Sequence, residues 1–225
     1  MLVTHVHSNT NERSPVPEVI KMARDSNAIS IIDICQSAGV VPIDLSLWNP
    51  DFAIGSCLKW LCGGPGAGYL WVNDNMLDRC RPVDVGWFSH ESPFEFDIHN
   101  FRYAQDALRF WGGTPTIAPF VLATNSINLI LSLGVQEIQR HNRRLTELLI
   151  SQVARACHLI CPREPDRRGG SVVLDFGAQQ TAVADRLAQR GIVCDGRADG
   201  MRLSPHIYNS HEQIQTVVAA LLDQT

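Results

Sequence analysis

A lysine that stands between apolar residues and a run of glycines is the feature of this sequence best suited to chemistry. Lys59 is one of only two lysines in 225 residues, and it lies in the segment CLKWLC, which leads into GGPGAG. An apolar setting favours the neutral amine, and a neutral amine can attack a carbonyl to form a Schiff base. Glycines let backbone pass close to a flat ligand or to another chain. The plain alternative is a lysine that extends from a strand end into water.

An acidic residue stands at the end of a neighbouring apolar segment. Asp33 follows the run AISII, and a carboxylate in such a place is costly unless it is paired. One interpretation is a helix N-cap. The other is an anion that faces a protonated ring nitrogen, which makes a pyridine ring a better electron sink. Active sites of parallel sheets lie beyond the carboxyl ends of strands, so Asp33 and Lys59 together predict a pyridoxal phosphate site.

The order of the elements that must position these residues is that of an α/β protein. Apolar runs predict strands and apolar spacing at three and four residues predicts helices. We expect a large domain at 1–133, built on a mostly parallel sheet, and a small C-terminal α/β domain at 134–225. The aromatic- and glycine-rich segment 82–113 reads as a long ordered loop, and such loops are usually functional. The predicted strands are 2–7, 29–34, 52–56, 69–72, 158–161, 171–176, 192–194 and 201–204, and the predicted helices are 15–27, 116–133, 135–156, 180–190 and 211–222.

Composition excludes several classes of partner. A net charge of −4 gives no basic field for nucleic acid or for an anionic membrane surface. No apolar run approaches the ~20 residues of a membrane span. The seven cysteines include no CxxC pair, so we expect reduced thiols in a cytoplasmic protein and no zinc site. His5 and His7 share one face of a strand, but no third ligand is near them in sequence, and no metal is predicted.

Longer motifs extend this interpretation along the chain. The runs DICQSAGVVPIDL and DFAIGSCLKWLCGGPGAGYLWV resemble class V, fold-type I pyridoxal phosphate enzymes, and among them the kynureninases most closely. The similarity continues, in order, through VGWFSH at 85–90, RFWGGTPTI at 109–117, PREPDRRGGSVVLDF at 162–176 and RGIVCDGRADGMRLSPHIYNS at 190–210. The resemblance implies a partial aminotransferase-like large domain followed by the small domain.

The same resemblance implies a role for particular residues around the cofactor. Lys59 would carry pyridoxal 5'-phosphate as a Schiff base and move protons, and Asp33 would bind its pyridinium nitrogen. Gln36 would hydrogen-bond near the phenolic oxygen of the cofactor.

Three further positions would complete the site. Trp87 and Thr114 would reach across the interface of a homodimer toward the cofactor and its phosphate. Arg202 would bind the α-carboxylate of a small amino-acid substrate, a task suited to its planar fork. The alternatives without a role in the site are core packing for Trp87 and a surface position on a strand for Arg202.

The sequence also departs from the kynureninase pattern. Leu58 stands where kynureninases have Tyr, and Gln36 stands where they have His. The family carries a long segment ahead of the position of Leu2, with the phosphate-binding loop and the aromatic that stacks on the cofactor. Three functions remain open: a kynureninase-like hydrolase that cleaves the Cβ–Cγ bond of kynurenine-type amino acids; another class V reaction, such as transamination, desulfuration or another lyase reaction, or epimerisation; and a truncated non-catalytic subunit that needs a separate N-terminal chain.

Overall fold

The computed structural model describes residues 1–197 and 199–223. A four-stranded sheet organises the first part of the chain, with the strands in sequence order. Its strands are β1 (Leu2–Thr4), β2 (Ile31–Asp33), β3 (Phe52–Ser56) and β4 (Gly68–Val72). The first three run parallel, and β4 pairs antiparallel with β3. The predicted, mostly parallel sheet is therefore confirmed, although β1 ends three residues earlier than the apolar run 2–7.

The two faces of this sheet differ in cover. Helix α1 (Val16–Asp25) lies on one face, where Val16 and Ile20 pack against Ile32 and Ala53 in a buried cluster. Side chains alternate between faces along a strand, so Asp33 points to the other face. That face carries exposed apolar side chains in every strand but β2: Leu2, Ile54 and Leu70 are 65%, 36% and 37% exposed.

The segment 82–113 is ordered by its own hydrogen bonds, as predicted for a long loop. It contains 3-10 turns at Trp87–Ser89 and Ala107–Phe110, and a bridge that joins His90 to Tyr103. Buried Arg109 ties the loop to the preceding chain, because its guanidinium donates to the carbonyls of Ala104, Leu77 and Cys80. Two short helices that the sequence did not predict, α2 (Leu45–Trp48) and α3 (Asp74–Leu77), flank strands β3 and β4.

Two long helices connect the first sheet to the rest of the chain. Helix α4 (Ala118–Leu133) ends at Gly134, whose φ of 82° is easy only for glycine, and α5 (Val135–Val153) follows. Helix α5 contributes Ile138 to the core under the Lys59 segment and its C-terminal half to a second core. Among the described residues no single helix is long and apolar enough to cross a membrane; only α4 and α5 taken together pass that test, and they are bent by 79°.

A second four-stranded sheet, wholly antiparallel, forms the C-terminal layer. Its spatial order is β5 (His158–Leu159), β6 (Val172–Asp175), β8 (Gly200–Leu203) and β7 (Asp195–Arg197). Helices α6 (Gln180–Gln189) and α7 (His211–Leu222) cover it together with α5. This sheet and the helices that cover it form the small C-terminal α/β layer that the sequence predicted.

One predicted strand in this layer is wrong. The run 192–194 is not a strand: the Ile192 N–H bonds to the Leu187 carbonyl at the end of α6, at 2.9 Å, and Val193 is 95% exposed. The strand begins at Asp195 instead. The apolar residues at 192–194 predicted a buried strand, but they form the connection between α6 and the next strand. That strand, β7, lies at the edge of the sheet and is polar.

Candidate active site

Lys59 lies in the turn that follows β3, and its surroundings differ from those expected. The residue is exposed, whereas Cys57 and Trp60 beside it are buried in the core. Leu58, directly before the lysine, is 52% exposed as well, so the expectation of an apolar setting for the amine is wrong. The amine reaches into an open cavity.

Gln36 joins Lys59 to a cation from the C-terminal sheet. With its amide oxygen turned toward the two cations, it accepts from Lys59 Nζ at 3.1 Å and from Arg202 Nη1 at 3.2 Å. Gln36 is 8% exposed, so this oxygen is shielded from bulk water. A single amide oxygen therefore holds a primary amine and a guanidinium close to each other.

The loop that carries Gln36 is held against the Lys59 turn by a close backbone contact. Gly39 has a φ of +98°, and a β-carbon there would lie 2.8 Å from the Trp60 carbonyl oxygen. Only glycine allows both the left-handed backbone and this approach. The sequence SAGVV after Gln36 thus sets the distance between Gln36 and Lys59.

Asp33 lies at the carboxyl end of β2, next to Ile54 of β3 in the strand register. Its Oδ1 accepts the backbone N–H of Cys35 at 2.8 Å. The pKa of the Cys35 thiol is raised by burial and by Asp33, and it is lowered by Lys59. The Cys35 thiol therefore lies within electrostatic range of both groups, and the structure brings Asp33 and Lys59 to the same edge of the sheet.

Arg202 comes from β8 and is held on several sides. Its Nε and Nη2 donate to the two carboxylate oxygens of Asp195, at 3.1 and 2.7 Å. Its Nη1 donates to the Ser8 carbonyl at 3.1 Å, in the loop after β1, as well as to Gln36. The side chain is 14% exposed. The alternative of an unattached surface arginine is therefore wrong.

Gln36, Lys59 and Arg202 open onto one cavity of about 220 Å³. Aromatic rings form a wall of it: His206 stacks between Trp60 and Tyr208, with ring centroids 5.3 and 5.0 Å apart. The residues that line it are Gln36, Lys59, Trp60, Arg202, Ser204, His206 and Tyr208. The cavity combines two cations with flat aromatic surface.

His206 is a fixed, neutral imidazole. Its Nε2 donates to the Trp60 carbonyl at 3.0 Å and its Nδ1 accepts the Ile207 N–H at 2.8 Å. Burial lowers the pKa of His206, and His141 lowers it further, against an opposing effect of the Trp60 hydrogen bond. Cys62 Sγ lies 3.6 Å from Nε2, and burial raises the pKa of that thiol. Since Nε2 already holds the proton, His206 is a poor base for Cys62.

Trp87 and Thr114 are not brought to this cavity by the described part of the chain. Thr114 is exposed, and Trp87 is 38% exposed in a separate aromatic cluster with Phe88, Phe94 and Phe96. That cluster borders a cavity of about 310 Å³ between Gly86 and Phe101. Trp87 therefore does not pack in a core, and its predicted place at a dimer interface stays a prediction.

The sequence interpretation missed Ser8, Asp195, His206 and Tyr208, and also Ser204, which lines the cavity. Ser8 contributes only a carbonyl, which any residue type could supply. Asp195 lies in a polar edge strand that apolar patterning does not detect. His206 and Tyr208 follow β8 in a segment without periodicity, although the two aromatic rings at alternate positions after a predicted strand were a signal that could have been used.

The residues present fit pyridoxal phosphate. A primary amine that forms a Schiff base must not be tied to a carboxylate, and within the described residues none lies within 4.0 Å of Lys59 Nζ. A carboxylate, Asp33, ends the neighbouring strand on the open face of the sheet. Gln36 and Arg202 add a polar group and a cation at the cavity. This is the set of groups that binds a cofactor carbonyl, a pyridine nitrogen and an acidic substrate.

The sheet and its site define a pyridoxal-phosphate-dependent protein of fold type I. The family model described as "Aminotransferase class-V" matches residues 1–217, and the chain belongs to that family. It is 27% identical over 224 residues to the "Uncharacterized aminotransferase YcbU" of Bacillus subtilis (strain 168), covering 99% of this chain and 59% of that protein. It is 28% identical over 203 residues to the kynureninase of Pseudomonas fluorescens, covering 88% of this chain and 48% of that enzyme.

The fold is found in solved structures at lower identity. The apo structure of cysteine desulfurase from Thermococcus onnurineus NA1 superposes with a TM-score of 0.88 at 24% identity, covering 98% of this chain and 58% of that one. An alanine–glyoxylate aminotransferase from Nostoc sp. superposes with a TM-score of 0.74 at 21% identity, covering 98% and 60%. The chain thus spans about half to three-fifths of the length of the proteins that it matches.

Proposed function

We propose that the protein acts on kynurenine-type amino acids as a kynureninase-like hydrolase that cleaves the Cβ–Cγ bond. One observation carries the proposal: Lys59 and Arg202 donate to the same Gln36 amide oxygen, at 3.1 and 3.2 Å. A substrate whose α-amino group lies beside Lys59 would have its α-carboxylate within reach of a guanidinium fork. Arginine binds a carboxylate in a bidentate manner that a lysine does not match.

Each group then has a defined task. Pyridoxal phosphate, when bound, supplies the electron sink for charge that develops at the α-carbon. Asp33 would hold the pyridine nitrogen of that cofactor in its protonated form, and Gln36 positions Lys59. Lys59 Nζ takes the α-proton of the substrate and returns a proton later. Arg202 fixes the orientation of the substrate.

The predicted hydrolysis balances without a further co-reactant. Water adds its oxygen to the γ-carbonyl carbon, the Cβ–Cγ bond breaks, and Cβ receives a proton, which gives alanine and an aryl carboxylic acid. The exposed ring of Tyr208 and the stacked His206 offer the cavity a flat surface suited to an aryl group. The kynureninases among the relatives support this substrate class.

Two other functions remain as alternatives. Transamination, desulfuration or another lyase reaction, or epimerisation would use the same Lys59 and Arg202, and the matched aminotransferase from Bacillus subtilis favours transamination. A non-catalytic subunit that works with a separate N-terminal chain is the third function.

We further propose a homodimer in the cytoplasm. The exposed cluster of Trp87, Phe94 and Phe96 offers apolar surface, and aromatic patches of this kind mark interaction sites. All seven cysteines are free, which is typical of a reducing compartment. A monomer over a wide concentration range in sedimentation would contradict the dimer.

The test is a turnover assay with kynurenine at saturating pyridoxal phosphate. We expect release of alanine from the unaltered protein, none from Lys59→Ala, and a raised KM from Arg202→Gln. Arg144→Gln, at an exposed arginine of α5, is the matched control and should behave like the unaltered protein. Formation of a keto acid only when an amino acceptor is added would establish transamination instead. Absence of any turnover, with kynurenine or with other amino acids, would favour the non-catalytic subunit.

A further inference from the structure

The guanidinium fork of Arg202 is already occupied by a carboxylate of this chain. The Nε and Nη2 of Arg202 face both oxygens of Asp195, at 3.1 and 2.7 Å, which is the bidentate arrangement that an arginine offers to a bound carboxylate. Asp195 is an exposed residue of the edge strand β7, with a side chain 48% exposed. A substrate carboxylate that used the same fork would have to displace it.

Asp195 has a second cation available. Its Oδ2 also accepts from Arg197 Nη2 at 2.8 Å, so one oxygen is shared between two arginines. The Nε of Arg197 is buried and has no hydrogen-bond partner among the described groups. Half of the Arg197 fork is therefore free, and an unpartnered buried donor is costly. A carboxylate that left Arg202 could satisfy that donor.

Arg202 does not depend on Asp195 for its orientation. Its Nη1 is held by the Ser8 carbonyl at 3.1 Å and by Gln36 at 3.2 Å, and both bonds are on the side away from Asp195. Removing Asp195 would thus leave the guanidinium in place and open its fork.

We propose that Asp195 is an exchangeable internal carboxylate: it occupies Arg202 while no substrate is bound and moves to Arg197 when a substrate carboxylate takes the fork. This inference rests on the proposed role of Arg202 as the carboxylate-binding residue. Asp195 then weakens the binding of every carboxylate by the cost of its displacement, and Arg197 reduces that cost.

The test is direct titration of propionate, a carboxylate without an amine, into the full chain by calorimetry or NMR. A partly exposed ion pair contributes little, so Asp195→Asn should tighten binding by roughly 3- to 5-fold. Arg197→Gln should weaken it by a similar factor, because Asp195 then has no second partner. Asp84→Asn, which removes an equal charge at an exposed loop position, should change nothing.

A double-mutant cycle separates exchange from simple electrostatics. If Arg197 acts only by receiving Asp195, the Asp195→Asn/Arg197→Gln double variant should bind propionate as tightly as Asp195→Asn alone. An Arg197→Gln effect that persists undiminished in the Asp195→Asn background would overturn the proposal, as would Asp195→Asn binding no tighter than the unaltered chain. Propionate binding that is insensitive to Arg202→Gln would instead overturn the carboxylate role of Arg202 itself.

Discussion

Gly39 and Trp60 are in backbone contact: a β-carbon on Gly39 would lie 2.8 Å from the Trp60 carbonyl oxygen and 2.9 Å from its carbon. The contact joins the loop that carries Gln36 to the turn that carries Lys59. The same Trp60 carbonyl accepts the His206 Nε2 proton at 3.0 Å. One carbonyl therefore connects three segments of the site, and its position depends on a residue without a side chain.

Replacement of this glycine should affect stability and the site together. Gly39→Ala combines a φ of +98° with a clash against rigid backbone, so we expect a loss of about 2 kcal/mol or more in the free energy of unfolding. Urea denaturation measures this. Gly113→Ala is the control, because a β-carbon there meets nothing within 4 Å. Equal stability of the two variants would show that the contact is not as close as described.

The lysine assignment is open to covalent labelling. After incubation with pyridoxal phosphate and reduction with borohydride, mass spectrometry should find the label on the Lys59 peptide, since Lys59 faces the cavity. Lys59→Ala should carry no label. Lys21→Ala removes the other lysine, which pairs with Asp25 at 2.6 Å on the exposed face of α1, and this variant should label normally. Label on Lys21 in the unaltered protein would contradict the assignment.

Two tyrosines allow a matched test of hydrogen bonding. Tyr69 Oη is buried and has no hydrogen-bond partner among the residues that the structure describes, and burial raises the pKa of its hydroxyl. Tyr103 Oη, in contrast, donates to the Pro82 carbonyl at 2.9 Å. An unsatisfied buried hydroxyl is unfavourable, so Tyr69→Phe should leave stability unchanged or raise it by about 1 kcal/mol. Tyr103→Phe should lower it by about 1 kcal/mol. Chemical denaturation of both variants measures these changes in the free energy of unfolding. A lower stability of Tyr69→Phe would show that the Tyr69 hydroxyl has a hydrogen-bond partner after all.

The sequence predicted which layers the fold contains better than it predicted where the individual strands and helices begin and end. The apolar run 52–56 and the helix at 211–222 coincide with β3 and α7, because the core contacts that form them are local and periodic. The run 2–7 was too long, since Val6 leaves the sheet and bridges Arg13. At 192–194 apolar residues end a helix rather than form a strand. Periodicity reports which residues are buried, but it does not report which partner buries them.

For the candidate site, too, the sequence predicted some features and missed others. The resemblance assigned Lys59, Gln36 and Arg202, and the structure brings these three together. It did not indicate that Lys59 would be exposed, because side-chain direction at a turn depends on backbone angles that neighbouring residue types do not fix. Nor did it indicate Asp195, whose importance arises only from pairing across an antiparallel edge with Arg202.

A buried histidine makes stability depend on pH. His5 is 1% exposed and packs edge-on against Trp48 at 4.9 Å, and its pKa is lowered from 6.5 to about 4, first by burial and then by Arg13. The unfolded chain therefore binds a proton below pH 6.5 that the folded chain refuses until about pH 4. Stability is fully present above the unfolded value and falls as the pH drops through this window.

The size of this pH effect on stability follows from the difference between the two pKa values of His5, since each pKa unit corresponds to about 1.4 kcal/mol. We expect His5 to account for a loss of roughly 2 to 3 kcal/mol in the free energy of unfolding between pH 7 and pH 4. His5→Gln should be less stable at pH 7, because it loses the contact with Trp48, but its stability should fall less steeply toward pH 4. His99→Gln, at an exposed loop position, should keep the slope of the unaltered protein. Urea denaturation at several pH values gives these slopes, and parallel slopes for the unaltered protein and His5→Gln would show that His5 is not the group that titrates.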